Sequence, residues 1–374
     1  MKATIKKKSI VKENQNPRDK YVIGPAQNWP PKVAVLFDGA GYARLGLEQA
    51  GFDCYGFELN PLAHWLSSHL GTKNRSVLAD VRDVDLSGFD AVWASPPCQR
   101  FSAATKGSGN QVTGKYKDDL LEWSLSLPER FPNIRVIWVE NVLTRKKEQD
   151  TWGVKYNAAQ FAKEPLQQRQ RMIGGQYPKP DTFRDYKPYY IELSNVSCPA
   201  ITASEWRWSK NDKRRASRWW YKKYGRKPTW VELVNYMGLP TEMIPKEWYR
   251  GFEIFDIEDK EERKKARMAF QDEIGWSVDN PGKKLTPKRW RNTLMRAAGN
   301  GVVVSMAQGL GEAAMKEFQQ AKEDQEELPQ EQELPNQRYN QKAGRWETQE
   351  PGEPTKLQEK LFKQVGQGLF RTLK

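Results

Sequence analysis

Three cysteines occur in 374 residues, and one of them, Cys98, stands directly behind Pro96 and Pro97 in "SPPCQRFS", just past an apolar run. Two consecutive prolines fix the backbone and remove two amide donors, so they end a strand and hold the next residue on a rigid corner. A thiol fixed in that way suits a nucleophile, and it equally suits an ordinary turn. Upstream, "FDGAGYARLGLEQAGF" places Gly39 and Gly41 between a strand and a helix, where backbone amides approach a ligand closely. A dinucleotide fingerprint wants a third glycine three positions after Gly41, and Arg44 stands there instead. A tight strand–helix turn and a cofactor loop both fit that pattern. Glu58, at the tip of the next strand, favours the second, because a carboxylate there can accept both hydroxyls of a ribose. Asp80, closing the third strand, can take an exocyclic adenine amine. A nucleoside-bearing cofactor without a diphosphate-type glycine pattern points to S-adenosylmethionine, with S-adenosylhomocysteine as its product.

The elements that must carry these residues alternate. "KVAVLFDGAG" is an apolar strand and turn, followed by a helix that stops at Gly51; "DCYGFELN" is a second strand; Pro61 opens a helix over 61–71. "SVLADVRDV" and "GFDAVWASPP" are short strands bounded by breakers, "DDLLEWSLSLPERF" has helical period, and "IRVIWVENV" is a buried strand. Near-continuous apolar strands alternating with helices predict an α/β domain with a parallel sheet covered on both faces. It spans residues 32–175, after a basic, weakly structured arm at 1–31. Residues 176–298 are different in texture. They interleave Arg and Lys with Trp206, Trp208, Trp219, Trp220 and Trp230, and a second charged block at 241–298 adds Trp248, Trp276 and Trp290. Residues 299–317 form a helix returning to the first domain, and 318–374 read as a Gln/Glu-rich tail with a short terminal helix.

The net charge of +14 and a sequence pI near 9.4 call for a polyanionic partner, nucleic acid ahead of a membrane surface. No apolar run approaches the roughly 20 residues that span a bilayer. The basic N-terminus lacks the apolar stretch of a signal peptide. Cys54, Cys98 and Cys198 are too scattered for a disulfide framework or a zinc site, and His64 and His69 lack partners at ligand spacing, so no metal is expected. A reducing cytoplasm is the expected setting, and without heptads the chain reads as a monomer on its polymer.

In order along the chain, these segments resemble the DNA (cytosine-5)-methyltransferase family. The resemblance rests on Phe37-x-Gly39-x-Gly41, on Glu58, and on Pro96-Pro97-Cys98-Gln99 followed by Phe101 and Ser102. It continues through Glu140-Asn141-Val142, Gln167-x-Arg169-x-Arg171, Thr229-x-x-Glu232 running into Gly238-x-Pro240, and Gly299-Asn300 before an apolar helix. It covers roughly residues 33–313. It implies a Rossmann-like methyltransferase sheet with a smaller basic target-recognition region. It also implies that a methyl group passes from S-adenosylmethionine to C5 of a cytosine flipped out of duplex DNA. On that resemblance Cys98 adds to C6 of the ring, Glu140 shares a proton with N3, and Arg169 and Arg171 hold the base carbonyl and a nearby phosphate and support the thiolate. The cofactor would lie on Phe37, Asp38, Gly39, Ala40, Gly41, Tyr42, Glu58, Leu59, Asp80, Val81, Pro97, Asn300 and Val302. DNA would meet Gln99, Arg100 and Ser102, and the basic block through Arg207, Lys210, Lys213, Arg214, Arg215 and Arg218. A loop over 100–117 would close on the nucleophile.

Two departures from the family pattern stand out. The insertion at 241–298 is long for that place and basic enough to touch DNA alongside 176–228, whose tryptophans suit stacking on bases or packing on the core. Asp38 stands where many relatives carry a small residue or Cys, placed to accept a hydrogen bond near the cofactor's amino group. The rival functions are a tRNA cytosine methyltransferase on the same scaffold, a thymidylate-synthase-like enzyme, and a DNA-binding relative without chemistry. The resemblance places the enzyme in a bacterial or phage-infected cell.

Overall fold

The computed structural model describes residues 26–71, 73, 75–97, 120–143, 152–201, 215–327, 337–340 and 345–348. The chain divides into two compact units, 1–322 and 323–374. The first unit is built on a seven-stranded sheet. Its strands are β1 (Lys32–Leu36), β2 (Asp53–Glu58), β3 (Ser76–Leu78), β4 (Ala91–Ala94), β5 (Val136–Asn141), β6 (Val154–Asn157) and β8 (Gln170–Gln176), in the order β3-β2-β1-β4-β5-β8-β6. The first five strands run parallel, as their apolar runs predict. The last two do not: β8 pairs antiparallel with both β5 and β6, so the sheet is mixed. A two-residue pair, β7 (Gln167–Gln168) with β9 (Cys198–Pro199), stands beside it.

Side-chain alternation divides the sheet's apolar residues between two cores. Val33, Val35, Trp93 and Trp138 face the larger one, with α1 (Tyr42–Gln49) and α2 (Pro61–Ser68). Ala34, Leu36, Val92, Ile137 and Val139 face the smaller, against Leu121 of α3 (Leu120–Leu125) and Leu127 of α4 (Leu127–Arg130). The larger core also takes in the helices α5 (Arg215–Tyr224), α6 (Trp230–Tyr236), α7 (Glu247–Glu253), α8 (Lys260–Glu273), α9 (Trp276–Asp279), α10 (Pro287–Asn300) and the long α11 (Val304–Glu327). α11 begins later than expected, and α10 holds Gly299 and Asn300. α1 and α11 touch backbone to backbone at Gly46, where a Cβ would lie 2.5 Å from the Val304 carbonyl oxygen. Further along α11, Phe318 meets Phe52 edge-on at 6.1 Å.

Of the tryptophans read as suited to stacking or to core packing, Trp220 is a core residue and Trp219 is half-buried, and those of the insertion are buried as well. Trp220, Trp248, Trp276 and Trp290 are less than 2% exposed, and Trp230 is buried. In the insertion their indoles are satisfied internally: Trp290 Nε1 donates to the Trp248 carbonyl (2.8 Å), Trp248 Nε1 to Leu66 (3.2 Å) and Trp276 Nε1 to Lys283 (2.7 Å). Trp290 and Phe270 pack against Trp65, which fixes 241–298 onto α2. Trp206 and Trp208 lie outside the described residues. Thr229-x-x-Glu232 is a capping box. Thr229 accepts from the Glu232 amide at 3.1 Å, and the Glu232 carboxylate accepts from the Thr229 amide at 2.7 Å.

Among the described residues of the second unit, β10 (Gln337–Asn340) and β11 (Arg345–Thr348) form an antiparallel hairpin with Tyr339 opposite Trp346. It stands in the stretch expected to be a plain tail. The expected terminal helix falls outside the described residues.

Candidate active site

The C-terminal ends of the parallel strands, where ligands bind in open α/β sheets, are linked laterally by hydrogen bonds. At β1 the chain turns sharply: Phe37 has φ +58° and Gly39 φ +60°. A non-glycine residue at positive φ is costly and concentrates at sites that need the backbone aimed. Phe37 is steadied edge-on against Trp123 at 6.3 Å. The turn presents the Gly39 amide to Glu58 Oε2 (2.8 Å), while Glu58 Oε1 accepts from Asn60 N (2.8 Å). The carboxylate expected to take ribose hydroxyls is thus first aligned by two main-chain donors. Each oxygen keeps a second lone pair for a ligand. Burial pushes the Glu58 carboxyl above its ordinary range, against the pull of those amides. Among the described residues a Cβ at Gly39 would meet nothing closer than 4.0 Å, so they leave the turn open on that side. Leu59 and Leu78, at the tips of β2 and β3, are 60% and 51% exposed and offer apolar surface beside it.

The other residues expected at the cofactor differ in burial and partners. Asp80 caps a short 3-10 turn at Val81–Asp83, and the Arg82 guanidinium (2.6 Å to Oδ2) holds its carboxyl below the ordinary range. Val81 and Val302 are buried, Ala40 is buried, and Asn300 is exposed. Tyr42 is 1% exposed, its ring lies against Gly301, and burial drives its phenol pKa far upward. Asp38 also turns inward. Its Oδ2 accepts from Arg44 Nε (3.2 Å) and from the Ser67 hydroxyl, while Oδ1 has no hydrogen-bond partner among the described residues. Arg44, read in the sequence only as a missing glycine, is a fully buried hub. It donates to Asp38, Glu48 Oε1 (2.8 Å), Ser67 O (2.6 Å) and Leu70 O (2.7 Å). An arginine where a loop pattern wants glycine, six residues after an aspartate, was the available signal.

From the β1 turn the line continues sideways. Ser95 N donates to Leu36 O (3.2 Å), fixing the start of the Pro96-Pro97 corner beside the Gly turn. Asn141 Nδ2, buried at the end of β5, donates to the Pro96 carbonyl at 3.0 Å. Its neighbour Glu140 is 6% exposed, and Arg171 Nε stands 2.5 Å from Glu140 Oε1. The approach is charge to charge, off the N–H axis, so it is not a well-directed hydrogen bond. Arg169 does something different from Arg171. Its guanidinium donates to the carbonyls of Ile201, Gly299 (2.7 Å) and Gly301 (3.0 Å), tying the β7–β8 segment to the α10–α11 junction. Gln167 supports it by accepting from Ile201 N (2.9 Å) and donating to Tyr236 O (3.0 Å). Pro97 is half-buried at the last described position of its corner.

Cys98, Gln99, Arg100, Ser102, Arg207, Lys210, Lys213 and Arg214 lie outside the described residues, as does the loop over 101–117. Arg215 opens α5, and Arg218 is exposed one turn along. The other two thiols are fully buried, and burial raises the Cys54 thiol well above its ordinary range, so it is inert. His64 and His69 bond to Ser76 Oγ and Trp65 O, and no cluster of metal-ligating groups occurs among the described residues. No helix there is long and apolar enough to cross a membrane.

No curated protein matches the sequence. Among solved structures the chain is similar to the Dnmt2 methyltransferase of S. pombe (14% identity, 78% of this chain and 98% of that one, TM-score 0.39). It is also similar to the methyltransferase EhMeth of Entamoeba histolytica (12%, 77% and 98%, 0.40). A third, prophage-encoded in E. coli and assigned as a DNA modification methyltransferase, gives 13%, 78% and 99%, and 0.40. Residues 32–158, which hold the Gly turn, Glu58, the Pro-Pro-Cys corner and Glu140-Asn141, match the family model of C-5 cytosine-specific DNA methylases.

Proposed function

We propose that the protein is an S-adenosylmethionine-dependent cytosine-5 methyltransferase acting on duplex DNA. One observation carries the reading: the Asn141–Pro96 hydrogen bond brings the corner leading to Cys98 beside a buried Glu140–Arg171 pair, at the strand ends that also form the Gly turn. The open space at Gly39, the aligned Glu58 and the exposed Leu59 and Leu78 fit a nucleoside-bearing cofactor. When bound, S-adenosylmethionine supplies an electrophilic methyl group. In this reading Cys98 adds as thiolate to C6 of the cytosine, and electron density rises at C5. Glu140 holds a proton at N3, so the ring does not accumulate a full negative charge. Arg171 fixes the carboxyl that does this, and Arg169 positions the segment from behind. Once C5 carries the methyl group, loss of its proton expels the Cys98 thiolate and restores the aromatic ring. The charge of +14 suits phosphate contacts by Gln99, Arg100, Ser102 and the basic stretch of Arg207, Lys210, Lys213, Arg214, Arg215 and Arg218. A monomer on DNA in a bacterial or phage-infected cytoplasm completes the proposal.

The test is transfer of labelled methyl groups from S-adenosylmethionine to duplex DNA and, separately, to tRNA. Transfer to DNA cytosines, its loss in Cys98→Ala, and covalent trapping by duplexes containing 5-fluorocytosine are expected. Transfer to tRNA alone would replace DNA with tRNA as the substrate. Trapping that survives Cys98→Ala would remove Cys98 as the nucleophile.

A further inference from the structure

Behind the Gly39–Gly41 turn lies an ionic cluster that the transfer chemistry does not use. Arg44, with a side chain 0% exposed, stands between Asp38 and Glu48, whose side chains are 0% and 6% exposed. Among these three side chains two carboxylates share one guanidinium, a formal charge of −1 away from bulk water. The fold is shaped to hold it: a Cβ at Gly56 of β2 would lie 2.1 Å from Asp38 Oδ2, and one at Gly41 would lie 3.1 Å from Arg44 Nη2. The cluster therefore reaches the turn itself. Asp38 is 6% exposed, yet its Oδ1 lacks a hydrogen-bond partner among the described residues. A buried carboxylate oxygen without a donor is unfavourable unless positive charge comes near it. The field also extends across the turn, since the Asp38 charge adds to burial in raising the Glu58 carboxyl.

We propose that the Asp38–Arg44–Glu48 cluster is a charge filter, holding the cationic sulfonium donor at the Gly39–Gly41 turn in preference to its uncharged thioether product. This rests on the reading of the turn as the donor site. Donor and product differ by one methyl group and one positive charge. Shape alone separates them poorly, whereas a fixed negative charge in a poorly screened place separates them by sign. Asp38 and Glu48 bias the occupancy of the turn, and Arg44 pairs with both.

The test is calorimetric titration of the full chain with S-adenosylmethionine, S-adenosylhomocysteine and sinefungin, in which an amine-bearing carbon replaces the sulfonium. Asp38→Asn and Glu48→Gln are expected to weaken both cationic ligands about threefold to tenfold relative to S-adenosylhomocysteine. The affinity for the thioether should stay within about twofold, as expected for a neutral contact. Equal weakening of all three ligands, or no weakening of any, would show scaffolding only and overturn the filter while leaving the donor site standing. Failure of the unmutated protein to bind any of the three would overturn the donor site and the filter together. Glu48→Gln lies on the outer side of Arg44, so it reports on the charge even if Asp38→Asn does not fold.

Discussion

Two buried arginines organise the two halves of the site, and they do so by opposite means. Arg44 works locally: its partners Asp38, Glu48, Ser67 and Leu70 all lie within 26 residues of it, and two of them are acidic side chains. Arg169 works at long range, donating to main-chain carbonyls 32, 130 and 132 residues away. The first fixes the shape of one loop. The second joins three separate stretches of chain. Arg169 and Arg171 look alike in the sequence, two residues apart, but only Arg171 faces the Glu140 carboxylate.

Removing each hub tests that contrast. Arg44→Met leaves two carboxylates buried without their cation and should cost about 3–5 kcal/mol in urea denaturation. Arg169→Met leaves uncharged carbonyls short of donors and should cost about 2–4 kcal/mol. The reverse order would mean that joining distant segments matters more than neutralising charge. Gly56→Ala attacks the Arg44 corner more gently by driving a methyl group into Asp38 Oδ2, at about 1–3 kcal/mol. It should also weaken binding of S-adenosylmethionine. Thr229→Ala removes one half of a capping box remote from both hubs and should cost about 1 kcal/mol, with methyl transfer unchanged.

The smallest effect is a pH dependence. Burial pushes the Asp53 carboxyl up, but Lys73 (2.6 Å) and Arg75 (2.6 Å) outweigh it and hold the group below its ordinary value. A folded-state pKa below the unfolded one gives stability that is fully present above about pH 4 and is lost as the pH falls through the folded value. Asp53→Asn should therefore flatten the acid limb of the stability curve. An unchanged acid limb would show that the pairs add nothing.

The parallel half of the sheet was legible in the sequence because β1, β4 and β5 are buried on both faces and read as unbroken apolar runs. β8, "QRMIGGQ", carries two glycines and polar ends, so its antiparallel placement left no comparable trace. Glu58, Glu140 and the Pro-Pro corner could be found because their types and spacing are chemical. Tyr42 and Asp38 could not be oriented from sequence, since which way a side chain turns depends on Gly301 and Ser67, contributed by other elements. For Trp220 the choice between stacking and core packing was open for a related reason. In α5 the interleaved charges imitate a stacking surface, but helical spacing turns Trp220 inward and Arg218 outward. Arg44 was in view as a broken glycine pattern, and its meaning appeared only with Glu48 one turn on.

The contact between α1 and α11 bears on how the molecule is made. Gly46 needs Val304 and Ala307 against it, and Phe52 needs Phe318, so the larger core gains its outer wall from a helix encoded far later in the chain. Chains generally fold from the N-terminus as they leave the ribosome. Here the sheet emerges before α11 and must wait, with an apolar flank wet, for the last part of the unit to be translated. A message cut short before that helix yields a sheet with no finished interior.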